Sequence, residues 1–384
     1  MKLLYISDLD DYFVFALTQD GALIKLRAAK KNAPNLAGNI YLARAEAIYK
    51  TGSVFFNIGA GKNAYLKNTG VSANKTVKTG QILPVLVLRD ETAQKGSLVT
   101  TKLSAKNAYF VISRGKTENG VSAKIKPAAK RAFLHTFLKN NLPGGFSGLA
   151  RTKSENLSES ELLARFLPLL TDFAQALKDL EKAAKKTPPC LVYGDECPIT
   201  KETEGFFEYA PDISEIITDL KNGAVSALSA KFGAALNVVK TGSDGFFAAY
   251  NLTKQINSGL CKKVWLKCGG YIIIEHTEAC VAIDINSGRC VNVKNREKSI
   301  KTVNEEAARE IAAQIILRGL AGKIVIDFIN PKNSGEFKAY AETLNALLIE
   351  HGLSNTEILP LAGIVVLIIR KTRESVDKLL SLDR

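Results

Sequence analysis

At 384 residues, with 46% apolar and 23% charged side chains, the chain is long enough for about two to four compact units and too apolar to be disordered. Fifty-two Lys and Arg against 38 Asp and Glu leave a formal charge of +14, which favours a polyanionic partner, nucleic acid ahead of a membrane surface. The six cysteines show no Cys-x-x-Cys spacing and no histidine at ligand distance from such a pair, so they read as reduced thiols and no structural zinc is expected.

The first residues, Met1 to Asp10, hold one cation and a short apolar run before acids begin, which is not the pattern of a secretory leader. Residues 1 to 34 read as a small sheet: Leu3 to Ile6, Tyr12 to Leu17, a turn at Gln19-Asp20-Gly21, and Leu23 to Arg27. They are too few to hold a core alone.

From Gly38 the pattern changes to short strands with Gly and Asn turns: Gly38 to Arg44, Gly52 to Gly59, Ala64 to Leu66, and Gln81 to Val87. Short strands carrying aromatics suit an OB-type barrel over 35–104, a fold that stacks single-stranded bases on rings beside a basic groove. An alternating strand buries one of two adjacent aromatics, so Phe55 is open to either role, base platform or core, beside Phe56.

Residues 105–190 hold strands near Ala108 to Ile112 and Gly120 to Ile125, then Gly148 to Thr152, then a helix from about Ser158 to Lys186. Leu162, Phe166, Leu169, Phe173, Leu177 and Leu180 form its packing stripe, and Ser158-x-x-Glu161 its cap. Pro168 predicts a kink or a break near Phe166, and Pro188-Pro189 marks a boundary. The forked guanidinium of Arg151 with the hydroxyl of Thr152 matches a terminal phosphate, although Arg151 also fits a solvated surface position.

The most informative stretch is Tyr271 to Asn330. An apolar β-branched run ending in Asp284 recurs as Lys323 to Asp327, with a helical pattern between them, as in a βαβ unit with two acids at the carboxyl ends of neighbouring parallel strands. Strand alternation puts Ala282, Asp284 and Asn286 on one face and Ile283 and Ile285 on the other. Thr302-x-x-Glu305 fits a capping box for the helix, Ala308, Ile311, Ala312 and Ile315 its stripe, and Gly319 its stop. Two aspartates side by side repel unless a hard cation lies between them, so the pattern is open to an Mg²⁺ or Mn²⁺ site or to two solvated strand ends. Ser287 to Lys301 reads as a loop that contains Arg289, Lys294, Arg296, Lys298 and Lys301 against Glu297 alone, a net charge of +4 suited to drawing in a phosphodiester. The run from Leu359 to Ile369 is about half the length needed to span a bilayer and reads as one buried strand, so no membrane span is expected and the chain reads as cytoplasmic.

This stretch closely resembles the catalytic core of the ribonuclease E / ribonuclease G family. The likeness rests on Gly269-Gly270-Tyr271, Thr277-Glu278-Ala279, Ala282 to Gly288, Asn304 to Ala308, Leu317 to Gly322 and Ile324 to Ile329, in order and at the family's spacing. It implies a multidomain α/β protein: a ribonuclease H-like subdomain in two parts, 1–34 and 198–258, with an OB-type RNA-binding domain at 35–104 and a 5′-sensor-like region at 105–190 inserted. A deoxyribonuclease I-like catalytic subdomain at 262–384 follows. The resemblance further implies an Mg²⁺-dependent endoribonuclease (Mn²⁺ being the other candidate cation) that cuts single-stranded RNA in RNA processing or decay, leaving 5′-phosphate and 3′-hydroxyl ends.

By the same resemblance Asp284 and Asp327 hold the metal and Asn286 orients the first carboxylate. Phe55, Tyr65 and Lys95 fall where the family contacts RNA, with Asn57 replacing a usual Asp. Arg151, Thr152 and Lys124 fall in its 5′-phosphate site, where Ala123 replaces a phosphate-binding Arg, and Asn330 replaces a further Asp. The family's zinc-linking cysteine pair has no counterpart after Cys290, so a zinc-linked tetramer is not expected. These departures leave open a second reading, an RNA-binding paralogue with weak or no cleavage.

Overall fold

The computed structural model describes residues 1–31, 36–49, 52–67, 77–91, 95–115, 118–183, 187–195, 197–221, 223–239, 245–290, 296–329, 334–353, 356–361, 363–369 and 376. The chain forms two compact units, one made of Met1–Ala33 with Pro198–Arg384 and the other of Pro34–Cys197.

The first unit opens with a meander of β1 (Lys2–Leu9), β2 (Tyr12–Gln19) and β3 (Ala22–Lys30). Asp20 and Gly21 both take positive φ, 51° and 82°, the geometry of a hairpin turn whose twist matches its strands.

The second unit follows. Its strands β4 (Ile40–Ile48), β5 (Val54–Asn57), β6 (Ala64–Leu66), β7 (Ile82–Arg89) and β8 (Leu98–Thr100) close in the order β4-β5-β6-β8-β7 and back to β4, an OB-like five-stranded barrel. Its core holds Tyr41, Ala43, Val54, Phe56, Leu66, Val85, Val87 and Val99. Closure needs Gly96: a Cβ there would lie 2.1 Å from the Asn63 carbonyl oxygen.

A four-stranded sheet lies in the same unit: β9 (Ser104–Lys106), β10 (Phe110–Arg114), β11 (Gly120–Val121) and β12 (Phe146–Ala150), in the order β11-β12-β10-β9. Helices α1 (Ala128–Asn141) and α2 (Glu159–Ala183) cover it, with Phe110, Phe137 and Phe166 clustered between. The cap of α2 is reciprocal, the Ser158 N–H donating to Glu161 at 2.8 Å and the Glu161 N–H to Ser158 Oγ at 3.4 Å. That backbone donor holds the Glu161 carboxyl below its usual range. Of the kink or break expected near Phe166, the break does not occur: α2 runs continuously through Pro168. Pro168 and Ala164, whose carbonyl loses its donor, are both exposed, so that carbonyl is open to solvent while the buried stripe anchors both halves. Past the prolines, β13 (Cys190–Tyr193) pairs with β4.

Back in the first unit come α3 (Pro198–Tyr209), β14 (Ile213–Thr218), α4 (Gly223–Phe232), β15 (Leu236–Val238), α5 (Phe246–Ala249) and α6 (Leu252–Gly259). The parallel pairing of β1 with β14 completes a sheet ordered β15-β14-β1-β2-β3. Phe206 of α3 stacks on Phe15 on one side, while Phe246 and Leu252 pack with Tyr5, Val14 and Leu26.

The same unit ends in a six-stranded mixed sheet made of β16 (Lys263–Trp265), β17 (Tyr271–His276), β18 (Val281–Asn286), β19 (Gly322–Asp327), β20 (Glu357–Leu361) and β21 (Ile364–Ile369). Its order is β16-β17-β18-β19-β21-β20, and β18–β19 is its parallel pair, joined through α7 (Arg296–Arg318) as the acid-ended runs predict. Helices α7 and α8 (Ser334–Glu350) cover one face with Ile272, Ile274, Ile283, Ile285, Ile324 and Ile326.

Two expectations fail here. Thr302 is no cap, because α7 starts at Arg296 and the Thr302 hydroxyl donates back to the Lys298 carbonyl at 3.0 Å. Its stop at Gly319 stands, with φ of 69°. The Leu359–Ile369 run is a hairpin of two strands rather than one, turned at Gly363 with φ of 85°.

Candidate active site

Asp284 and Asp327 are exposed and stand opposite one another in the parallel register of β18 and β19. Alternation dictates this: the β-branched residues between them fill the core under α7, so the acids and Asn286 face away from the helices. Asn286 donates its amide N–H to Asp284 Oδ2 at 2.7 Å, which fixes that carboxylate's rotamer. Continuing across the sheet on the same face, Lys263 and Ile273 lie on one side of the acids and Ile364 and Leu361 on the other.

A feature of α7 that sequence reasoning left unassigned supports the second acid. Buried Asn304 donates to the Ile329 carbonyl at 2.7 Å and accepts from the Ile329 N–H at 3.2 Å, clamping the backbone that leaves Asp327. Its position in the Asn304-Glu305-Glu306 block was the available signal. Glu306 likewise accepts the Cys268 N–H at 2.9 Å and holds the loop before β17. Of the basic segment, Arg289 is exposed on the turn after β18, and Arg296, Lys298 and Lys301 are exposed on the first turns of α7, a helix where the sequence suggested a loop. Lys294 and Asn330 lie outside the described residues.

On the barrel, burial distinguishes Phe55 from Phe56. Phe56 is wholly buried, while Phe55 is half-buried on the outer face, opposite Tyr65 in register with ring centroids 5.5 Å apart. Tyr49, exposed, adds a third ring 5.1 Å from Phe55. Lys95 is exposed, two residues before Ser97, whose carbonyl accepts the Tyr65 N–H. Asn57 is engaged by Glu46, which accepts its amide at 3.0 Å.

In the four-stranded sheet, the parallel pairing of β11 with β12 brings the two halves of the phosphate-site candidate together. Ser122 Oγ lies 3.1 Å from Thr152 Oγ1, and Arg131 donates to the Ser122 carbonyl at 2.8 Å to brace the loop. Arg151 is half-buried and gives one guanidinium N–H to the Asn107 carbonyl, while Ala123 and Lys124 are exposed on the loop.

An acid pair at parallel strand ends in one unit, and an OB-like barrel with an outward aromatic row in the other, define the class as a multidomain α/β enzyme of nucleic-acid chemistry. Comparison with known proteins makes the class specific. The family model described as Ribonuclease E/G family matches residues 104–374. Ribonuclease G of Haemophilus influenzae is 29% identical over 392 aligned residues, covering 95% of this chain and 78% of that protein. Ribonuclease G of Escherichia coli K12 is 26% identical, covering 95% and 79%. A putative ribonuclease E of Buchnera aphidicola is 30% identical over 302 residues, 72% of each chain. The chain belongs to the ribonuclease E/G family.

Among the described residues no helix is long and apolar enough to cross a membrane.

Proposed function

We propose that this protein hydrolyses single-stranded RNA internally at Asp284 and Asp327, with Mg²⁺ or Mn²⁺ as cofactor, leaving 5′-phosphate and 3′-hydroxyl ends. Family membership makes it an endoribonuclease of RNA processing. The observation that carries the site assignment is the in-register acid pair with Asn286 bonded to one member.

The donor set fits a hard divalent cation. Two exposed carboxylates supply oxygen ligands, the donor type that hard divalent cations take while keeping several waters. When bound, such a cation supplies Lewis acidity toward the phosphoryl oxygens and a more acidic water. Asp284 and Asp327 would hold it, and Asn286 keeps the Asp284 carboxylate from rotating away. Asn304 fixes the backbone behind Asp327. Arg289, Arg296, Lys298 and Lys301 draw the phosphodiester in. In the hydrolysis itself a water oxygen bonds to phosphorus, the bond to the 3′ oxygen breaks, and that oxygen takes a proton. No histidine base is required.

Phe55 and Tyr65 stack bases and Lys95 contacts the backbone. Arg151, Thr152 and Lys124 form a weakened 5′-phosphate site. The two sheets of the first unit are assigned as the ribonuclease H-like subdomain, 1–34 with 198–258, and the deoxyribonuclease I-like subdomain, 262–384. The protein acts in the cytoplasm on this reading.

The test is cleavage of an A/U-rich single strand, with and without Mg²⁺, by the native protein and by Asp284→Asn and Asp327→Asn. Each variant should lose more than roughly a thousandfold in rate, the scale of a lost metal ligand, while RNA affinity stays within about twofold. Native-like turnover by either variant sinks the assignment.

A further inference from the structure

The face that carries the acids carries a second, unassigned feature at its other edge. Trp265, the single tryptophan of the chain, is 59% exposed on β16. The antiparallel register places it opposite Tyr271, and places Tyr271 opposite Asn286, whose amide holds Asp284. Directly paired residues share a face, so Trp265, Tyr271 and Asn286 form one row, and Lys263, Ile273, Asp284 and Asp327 the next. The core packing agrees: Ile272 and Ile285, the alternating neighbours of Tyr271 and Asn286, are buried under the helices on the opposite face.

The rings are set at 63° to one another with centroids 5.2 Å apart. Lys263 Nζ lies 4.1 Å from the Trp265 ring centre and 3.7 Å from that of Tyr271. No carboxylate among the described residues pairs with Lys263, so its cation is held by π-faces and keeps its charge for another anion. An exposed indole and a half-buried phenol ring beside a cation, continuous with a phosphodiester site, have the composition of a single-strand nucleotide platform. Two strand spacings put Trp265 about 10 Å from Asn286, a reach of roughly one or two nucleotides.

We propose that Trp265, Tyr271 and Lys263 form a nucleobase subsite flanking the scissile phosphate, the rings stacking one base and the lysine contacting its phosphate. The subsite rests on the acid-pair reading above and deepens it, since it selects for unpaired nucleotides at the point of cutting.

Because Trp265 is the sole tryptophan, its emission reports this surface alone. The Asp284→Asn protein is titrated with a short A/U-rich RNA carrying a dye, and tryptophan emission and dye anisotropy are followed together. Saturable quenching that tracks anisotropy is the expected result. In the native background Trp265→Ala should raise KM by roughly 5- to 150-fold, the range of one aromatic–base stack, and more than it lowers kcat. Trp265→Phe should recover most of that loss. Lys263→Gln should reduce the salt slope of binding by about 0.7. Emission that stays constant while RNA binds overturns the subsite. So does a Trp265→Ala protein with native KM that dissociates from a dimer to a monomer in light scattering, which would give this face to a second copy of the chain. Cleavage by the Asp284→Asn protein would instead sink the acid assignment, and is read from the RNA products rather than from the tryptophan.

Discussion

Two asparagines, on different elements, restrain the two acids by different means: Asn286 through the carboxylate of Asp284, Asn304 through the backbone that follows Asp327. Both act by satisfying groups that would otherwise choose among rotamers or water partners, which is how a site stays ordered before its substrate arrives. A third residue-scale feature lies in the loop before β17. Burial pushes the Cys268 thiol up to about 11, with Cys290 and Glu306 beside it adding to the rise. A raised thiol pKa means that the proton is kept, so at pH 8 the reactive thiolate is scarce at Cys268, which is also less accessible than the exposed Cys261. Alkylation at pH 8, read peptide by peptide by mass spectrometry, should therefore modify Cys261 well before Cys268. The gap should close only as the pH approaches 11. Equal rates at pH 8 would show that Cys268 is not shielded in this way.

At the scale of elements, what could be read from the sequence followed what is local in the physics. The two acid-ended strands, the α7 stripe and the α2 cap are each written within a few residues, and each stands in the structure. What escaped depends on partners far along the chain or on missing contrast. Arg296 to Lys301 extend α7 without an apolar stripe, so periodicity could not place its start. The strand β13 has four residues and finds β4 about 150 positions earlier. The outward side of Phe55 was undecidable from alternation alone, because parity in a strand is fixed only once the core is known. That side now yields a sharp contrast. Phe56→Ala should destabilise by about 3 to 5 kcal/mol through a core cavity. Phe55→Ala should melt near the native temperature while weakening RNA binding by about 1 to 3 kcal/mol. Thermal melts and binding isotherms on both variants check this, and native affinity in a folded Phe55→Ala protein rejects the stacking role. The loop after β11 supports a second contrast. Arg131 braces it and Ser122 meets Thr152, but Ala123 contributes no cation to it. The native protein should show only a small preference for 5′-monophosphorylated over 5′-hydroxylated RNA, and Ala123→Arg should raise it about tenfold or more, one charge-assisted hydrogen bond. A strong native preference lost in Lys124→Ala would show that Lys124 already fills the role.

At the scale of the whole molecule, the charge of +14 says little about which fold forms, since among the described residues Glu202 and Arg318 are the only buried acidic or basic side chains. Its consequence lies in encounter and hold. A single strand bound by lysines and arginines releases the counterions it displaces, so affinity falls with salt as a power set by the number of phosphates neutralised. If three or four phosphates of a short RNA are engaged, raising salt from about 50 to 200 mM should weaken binding roughly 20- to 50-fold, at a slope near 0.7 per phosphate. Chemistry at the acid pair should respond differently. On the proposed assignment the scissile phosphate is already seated beside Asp284 and Asp327 once RNA is saturating, so kcat should change much less than KM over the same salt range. Fluorescence anisotropy across a salt series, paired with saturated and unsaturated cleavage rates at fixed Mg²⁺, separates the two. A salt-independent affinity would mean that stacking alone holds the RNA and that the basic surface has another purpose. A kcat that falls in step with affinity would mean that the cations of α7 act on the reacting phosphate itself and do not merely retain the strand.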